Sequence, residues 1–148
     1  MLQVGQTAPD FTLKNAQGED VRLYDLLNQG DVVLYFYPKD ETRGCTAQAC
    51  AFRDAYEEFK DAGAEVVGVS SDAEQDHAGF ADNHRLPFVL LSDPSKKVRK
   101  LYKVPNTLLF IPGRVTYVIG TDRKIRMAFN SMFKPEEHIQ EALQALKK

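Results

Sequence analysis

Two cysteines, Cys45 and Cys50, are the only thiols in this chain of 148 residues, and one stretch holds both: PKDETRGCTAQAC, Pro38 to Cys50. An apolar, β-branched and aromatic run precedes the stretch and a run of helical spacing follows it, which places Cys45 near the N-terminus of a helix. A helix N-terminus carries partial positive charge and N–H groups without intrahelical acceptors, and both favour a thiolate. The thiolate is the reactive form of cysteine. The loop beyond the C-terminal end of a strand is also where open α/β sheets put their ligands. Five residues of helix correspond to about 7.5 Å of rise and about 140° of rotation. The two Cα atoms would then lie roughly 8–9 Å apart, beyond the roughly 7 Å that a disulfide spans. The pair cannot bond while the helix is intact. Two readings stay open: a pair of inert helix residues packed into a core, or a pair that bonds only when the helix locally unwinds, which would be a redox cycle and not a staple.

The rest of the composition narrows the class. A chain this long buries roughly 70% of the surface its unfolded form exposes, so its core needs neither a disulfide nor a metal, and two cysteines are not a disulfide framework. Apolar residues make up 43% and aromatic residues 10%, as in an ordinary globular domain, and one domain over 1–148 is expected. Nineteen basic against 21 acidic residues leave a charge of -2, which argues against nucleic acid or an anionic membrane as a partner. The basic run KKVRK (Lys96–Lys100) reads as a solvated helix face. No apolar run approaches the roughly 20 residues of a membrane span, and MLQVGQTAPDF lacks the basic start and apolar core of a signal peptide. A bacterial cytoplasm is expected; a plastid protein whose transit peptide has been removed would read the same.

The elements that must position the thiols can be followed along the chain. DFTLKNAQGEDVRL alternates, turns at Asn15–Gly18 and alternates again, which predicts an N-terminal hairpin. DVVLYFY (Asp31–Tyr37) predicts a strand buried on both faces and stopped by Pro38. Apolar residues at helical spacing from Thr42 to Ala62 predict one long helix, ended by Gly63. EVVGVSS (Glu65–Ser71) predicts a second buried strand. SDAE (Ser71–Glu74) fits a capping box opening a helix to about His84. A short strand, FVLLSD, and a short helix in PSKKVRKLYKV follow, then an antiparallel pair, RVTYVIG and KIRMAFN, linked through Thr121–Arg123. KPEEHIQEALQALKK predicts a C-terminal helix with Pro135 in its first turn, acids early and lysines late. The sum is one α/β domain with a mixed sheet and helices on both faces.

YFYPKDETRGCTAQACAFRD (Tyr35–Asp54) resembles the active-site segment of peroxiredoxins, and among them the Q-type, also called bacterioferritin comigratory proteins. The P-x-x-x-T-x-x-C signature is present as Pro38, Thr42 and Cys45. The likeness extends to APDFTL, VVGVSSD, LPFVLLSD and PGRVTYVIG, and NSMFKPEEHIQEALQALK is similar to the plant and cyanobacterial branch. The resemblance implies a thioredoxin fold carrying an N-terminal β-hairpin extension. It implies that Cys45 is the peroxidatic cysteine, that Cys50 is the resolving cysteine in an intramolecular disulfide, and that Thr42 hydrogen-bonds thiolate and peroxide. It further implies that Pro38 shields the pocket, and that Arg114 is the active-site arginine serving thiolate and peroxide together. Backbone N–H groups of Gly44 and Cys45 would bind peroxide oxygens where charge develops. The implied activity is reduction of hydrogen peroxide and organic hydroperoxides by a monomer recycled by thioredoxin, without cofactor or metal. The chain departs from the pattern at Arg43, where many members have proline and where solvent is the expected surrounding, and at Gly120, often aspartate, where a turn is affected.

The remaining polar candidates read as structural. His77 and His84 could share a helix face but lack a third metal ligand. His138 reads as solvated. Asp40 and Glu41 flank the thiol loop and should point outward, because a carboxylate facing a thiolate would disfavour it. Asp93 should cap the helix after Pro94. Tyr37, Phe80, Phe88 and Phe129 read as core residues before a pocket for organic peroxides. TAQA, between the cysteines, has no large apolar anchor to resist unwinding. Two other functions would use the same pair: thiol–disulfide exchange on protein substrates, and carriage of a soft metal such as copper on two thiolates.

Overall fold

The N-terminal alternation forms the expected hairpin. Thr12–Asn15 (β1) and Asp20–Arg22 (β2) pair antiparallel with Leu13 opposite Val21. Asn15 Oδ1 accepts the N–H groups of Gln17 and Glu19 at 3.0 and 2.9 Å, while Gly18 takes φ +78° to close the turn, a conformation that suits glycine. The computed structural model describes residues 1–107, 111–112, 114–131, 134 and 136–146. Pro135, Gly113 and the final lysines, Lys147 and Lys148, therefore lie outside the described residues.

A short helix, Leu23–Leu27 (α1), follows the hairpin and has no counterpart among the expected elements. Asp31–Phe36 (β3) is the buried strand predicted from its continuous apolar run. The helix expected over Thr42–Ala62 is two helices, Arg43–Asp54 (α2) and Tyr56–Asp61 (α3). Ala55 breaks them with φ -98° and ψ 5°. No glycine or proline marks the joint, so the sequence carries no local signal for it. Gly63, at φ +79°, ends the second helix as expected. Ala64–Ser70 (β4) and Glu74–His84 (α4) come next. The capping box does not form: the residue before α4 is Ala73, without a side-chain cap, and Asp72 instead accepts the Ser70 hydroxyl at 2.7 Å and the Asp40 N–H at 2.8 Å.

Val89–Ser92 (β5) and Lys97–Leu101 (α5) precede a two-residue ribbon, Asn106–Thr107 (β6) with Ile111–Pro112 (β7). Val115–Ile119 (β8), Ile125–Asn130 (β9) and Glu137–Leu146 (α6) complete the fold. Asp93 caps α5 as expected, its carboxylate accepting the N–H groups of Val98 and Arg99 at 3.3 and 2.9 Å. Gly120 is buried in the approach to the β8–β9 turn, where a Cβ would collide with the Arg126 guanidinium.

The main sheet has the order β2–β1–β5–β4–β3–β8–β9. β3, β4 and β5 run parallel and the remaining pairs are antiparallel. Alternation along β3 feeds two cores. Val32, Leu34 and Phe36 pack with Leu23, Leu27, Val98 and Tyr102. Val33, Tyr35 and Tyr37 pack with Cys45, Phe52, Phe59, Phe80, Ile139 and Leu143. Helices thus cover both faces of a mixed sheet, as predicted. Because β8 is antiparallel to β3 with Val115 opposite Phe36, the beginning of β8 meets the end of β3. That register brings Arg114 to the loop that carries Cys45.

Candidate active site

Helix α2 turns Cys45, Gln48, Ala49 and Phe52 inward, the i, i+3, i+4, i+7 stripe of an amphipathic helix. Phe52 stacks on Tyr35 of β3 with ring centroids 4.5 Å apart, which seats the helix on the sheet. Cys45 is 1% exposed. Arg114, also buried, enters from the start of β8 and donates Nη2–H to Cys45 Sγ at 3.3 Å and Nη1–H to Gln48 Oε1 at 2.5 Å. One rigid guanidinium fork therefore spans two successive positions of the stripe. Gly44 makes room for it: a Cβ there would stand 3.1 Å from Nη2. The first bond of the helix runs from Thr46 N–H to the Thr42 carbonyl at 2.8 Å, so the N–H groups of Gly44 and Cys45 have no acceptor within the helix. A cation, a helix N-terminus and a buried sulfur meet here.

The other expected residues fall around this centre with different roles. Cys50 lies on the same helix, half-buried and off the inward stripe, and both cysteines are free thiols. Thr42 precedes the helix, exposed, and its hydroxyl donates to the Lys39 carbonyl at 2.9 Å instead of to the sulfur. Having spent its hydrogen on Lys39, that oxygen retains acceptor capacity. Pro38 is half-buried where β3 gives way to the loop, and Arg43 is exposed, as expected. Gln48 is the residue that sequence reading passed over: TAQA has no apolar anchor, yet it holds a polar one, fully buried on Arg114. Its signal was the three-residue spacing from Cys45.

Asp40 corrects an expectation. It is buried, not turned outward. Its carboxylate accepts the Tyr37 hydroxyl at 2.6 Å and meets His77 Nδ1 at 2.7 Å, so its charge is directed away from the thiol toward donors that satisfy it. His77, from α4, also donates Nε2–H to the Leu91 carbonyl at 2.9 Å. Asp40, Asp72 and His77 present ligand atoms within 4.8 Å of one another, but both ring nitrogens of His77 are already engaged, and hydrogen bonding accounts for the cluster. His84 does not join His77: it contacts Glu41 at 2.6 Å, and Asn83 donates to the same carboxylate at 2.5 Å. These two partners, Asn83 foremost, lower the Glu41 pKa. Glu41 sits at φ +60°, outside the regions that non-glycine residues prefer. The thiol loop is thus tied to α4 at two adjacent residues.

Two more residues depart from their expected surroundings. Arg99, read as part of a solvated basic face, is buried and donates to the Tyr37 carbonyl at 3.0 Å. Burial lowers its pKa to about 10, against the pull of Asp93 and Cys45. His138, read as solvated, is completely buried between Thr116 and Ser131. The helical pattern of α6 placed it ambiguously, and only the packing of α6 on the sheet puts it inside. Tyr37, Phe80 and Phe88 are core residues as expected. Phe129 is partly exposed, its ring edge-on to His138 with centroids 4.8 Å apart.

This constellation can be set against known proteins. Residues 4–128 match the AhpC/TSA family model. The chain is 52% identical to the chloroplastic peroxiredoxin Q of Sedum lineare, over 96% of this chain and 76% of that protein. It is 53% identical to the chloroplastic peroxiredoxin Q of Arabidopsis thaliana, over 97% of this chain and 66% of that protein. The chain therefore spans about two thirds to three quarters of the length of these plant relatives. Among solved structures, the peroxidoxin BcpB of Mycobacterium tuberculosis superposes with a TM-score of 0.92 at 39% identity, over 99% of this chain and 97% of that one. The mixed seven-stranded sheet is accordingly the thioredoxin-like fold of these proteins. With Cys45, Arg114 and the signature residues in the places described, the chain belongs to the AhpC/TSA family, as a peroxiredoxin of the Q type.

Proposed function

We propose that the chain is a thiol-dependent peroxidase in which Cys45 attacks the peroxide, Cys50 resolves the product and a thioredoxin-type dithiol protein restores both thiols. The observation that carries this reading is the contact of the buried Arg114 guanidinium with Cys45 Sγ at the start of α2. A cation beside the sulfur stabilises the thiolate that must act as nucleophile. Nucleophilicity falls as a thiol becomes more acidic, so positioning and polarisation of the O–O bond supply the rate. Arg114 Nε and Gln48 Nε2 are buried donors without a partner among the described residues, and a bound peroxide would offer them oxygens. The first-turn N–H groups and the Thr42 hydroxyl oxygen complete the set.

The steps balance. The Cys45 thiolate attacks the proximal oxygen and the O–O bond breaks. The distal oxygen leaves with a proton as water or alcohol, and Cys45 becomes a sulfenic acid. The Cys50 thiol then displaces that hydroxyl as water, giving the Cys45–Cys50 disulfide. Dithiol exchange returns two thiols to this chain and leaves the reductant as the disulfide. Resolution requires the first turns of α2 to unwind, because the intact helix holds the sulfurs apart. Gln48 is the anchor that must let go before the aromatic anchor Phe52 is reached.

Burial and helix geometry disfavour the rival functions. A sulfur with 1% exposure admits a peroxide more readily than the disulfide of another folded protein. Two thiolates held on different faces of one helix do not converge on a metal. Cys45, Cys50, Arg114 and Gln48 all come from one chain, so a monomer suffices. A thioredoxin-type reductant would require a thiol-reducing compartment, as a bacterial cytoplasm or a plastid stroma is. The test is one equivalent of hydrogen peroxide added to the reduced chain, with intact mass and free thiols read over time. Rapid loss of two hydrogens, abolished in Cys45→Ser and replaced by a trapped sulfenic acid in Cys50→Ser, supports the assignment. Oxidation no faster than that of a free thiol refutes it.

A further inference from the structure

Arg114 is held by more than its contacts with α2. Its carbonyl accepts the Ser131 N–H at 3.3 Å, which ties the residue to the end of β9. The Ser131 carbonyl in turn faces His138 Nε2 at 2.8 Å. A carbonyl only accepts, so Nε2 carries the hydrogen. The other ring nitrogen, Nδ1, lies 2.7 Å from Thr116 Oγ1. Thr116, on β8, is two residues beyond Arg114, which immediately precedes the strand, so both side chains project to the same side, the side on which α2 and Cys45 lie. Backbone and side chains therefore form a closed circuit: Arg114 to Ser131, Ser131 to His138, His138 to Thr116, and back along β8 to Arg114. Every side chain in it apart from Ser131 is buried, with His138 and Thr116 at 0% exposure.

We propose that His138 is a positioning residue for peroxide reduction: held neutral between Thr116 and Ser131, it fixes the start of β8 so that the Arg114 guanidinium meets Cys45 and Gln48. In the neutral ring Nε2 donates to the Ser131 carbonyl and Nδ1 is left to accept the Thr116 hydroxyl. Burial pushes His138 down to about 4, Arg114 adding to that and the Ser131 carbonyl and Glu137 opposing it. Arg114 and Glu137 are the charged groups acting on the ring among the described residues, and the edge of Phe129 packs against it. A cation at His138 would be a buried charge, opposed further by the Arg114 guanidinium. The inference rests on the assignment of Arg114 as the partner of the Cys45 thiolate.

The experiment compares two steps in one set of proteins: oxidation of reduced Cys45 by hydrogen peroxide, and reduction of the Cys45–Cys50 disulfide by dithiothreitol. His138→Ala removes both bonds of the ring. Thr116→Val keeps the volume and removes the hydroxyl, which supplies the same test should the alanine variant fold poorly. His138→Gln keeps one donor and one acceptor without a titrating group. Small displacements of a catalytic group cost on the order of 10–100-fold in rate. The expected result is an approximately tenfold slower oxidation in His138→Ala and Thr116→Val, unchanged disulfide reduction, and near-native oxidation in His138→Gln. Arg114→Gln is measured beside them. If it oxidises at the native rate, the assignment of Arg114 is what fails. If it is slow while folded His138→Ala and Thr116→Val oxidise normally, or lose both steps together, the positioning role of His138 is overturned and the assignment of Arg114 stands.

Discussion

The two ends of the cysteine segment differ although they belong to one helix and carry the same residue. At Cys45 the sulfur is buried against a guanidinium, with Gln48 one turn along on the other arm of the same fork. At Cys50 the thiol is half-buried and turned off the inward stripe. In the proposed cycle, five residues of helical phase are enough to separate the nucleophile from the group that resolves it. Neither role is a property of cysteine itself. The environment gives Cys45 a cation that Cys50 lacks among the described residues, and the proposed resolution step waits until the first turns of the helix open.

Breaking that contrast should show it most clearly at Cys45. Cys45→Ser should lower the rate of peroxide consumption by more than about 10³-fold, since a hydroxyl offers no accessible anion; competition with a thiol of known rate measures this. Cys50→Ser should leave the first oxidation unchanged, while continued turnover with a dithiol reductant falls away and Cys45 accumulates as sulfenic or sulfinic acid, which mass spectrometry distinguishes. Arg114→Gln should cost about 10²-fold in the oxidation step, the usual scale for one lost electrostatic donor. Its disulfide reduction should change little, because the guanidinium serves the sulfur only in the folded helix.

The site also has two buried histidines, and they sharpen the same lesson. Each donates Nε2–H to a backbone carbonyl, His77 to Leu91 and His138 to Ser131. They differ in what meets Nδ1: the Asp40 carboxylate for His77, the Thr116 hydroxyl for His138. The first joins the thiol loop to α4 with a carboxylate; the second joins β8 to α6 with neutral groups beside Arg114. Asp40→Ala should therefore destabilise the fold by about 3 kcal/mol, because it strands buried partners, the Tyr37 hydroxyl and His77 Nδ1; a denaturant midpoint measures it. His138 should give an effect confined to acid. Its folded value of about 4 lies below its ordinary 6.5, so between those limits the unfolded chain binds a proton that the folded chain refuses. Stability then falls as pH drops from about 6.5 to about 4, by at most about 3 kcal/mol. The difference between unfolding curves of the native chain and His138→Gln over that range isolates it.

Much of this was legible one residue at a time. The continuous apolar run of β3, the hairpin with its Asn15 turn, the stop at Gly63 and the cap at Asp93 follow from local rules, because the physical cause sits within a few residues of the effect. So does the placement of Cys45 at a helix start, and the separation of Cys50 from it. The break at Ala55 was not legible, because neither glycine nor proline stands there and the apolar spacing continues across it. The burial of Asp40 was misread for a related reason: a carboxylate beside a thiol is unfavourable only if it faces the sulfur, and the donors that turn it away, Tyr37 and His77, include one from α4.

By itself, then, the sequence determined most of the element types and their order, the position of the thiol proposed to react, and the constraint that Cys50 cannot reach it along an intact helix. These depend on periodicity, on special backbone residues and on helix geometry, which are local. Only the tertiary structure decided that Arg114 meets Cys45, that Gln48 shares its fork, and that His77 and His138 are buried behind the two sides of the site. The Arg114 contacts join residues far apart in the chain through one fact that no local pattern contains: β8 lies antiparallel beside β3 with Val115 opposite Phe36.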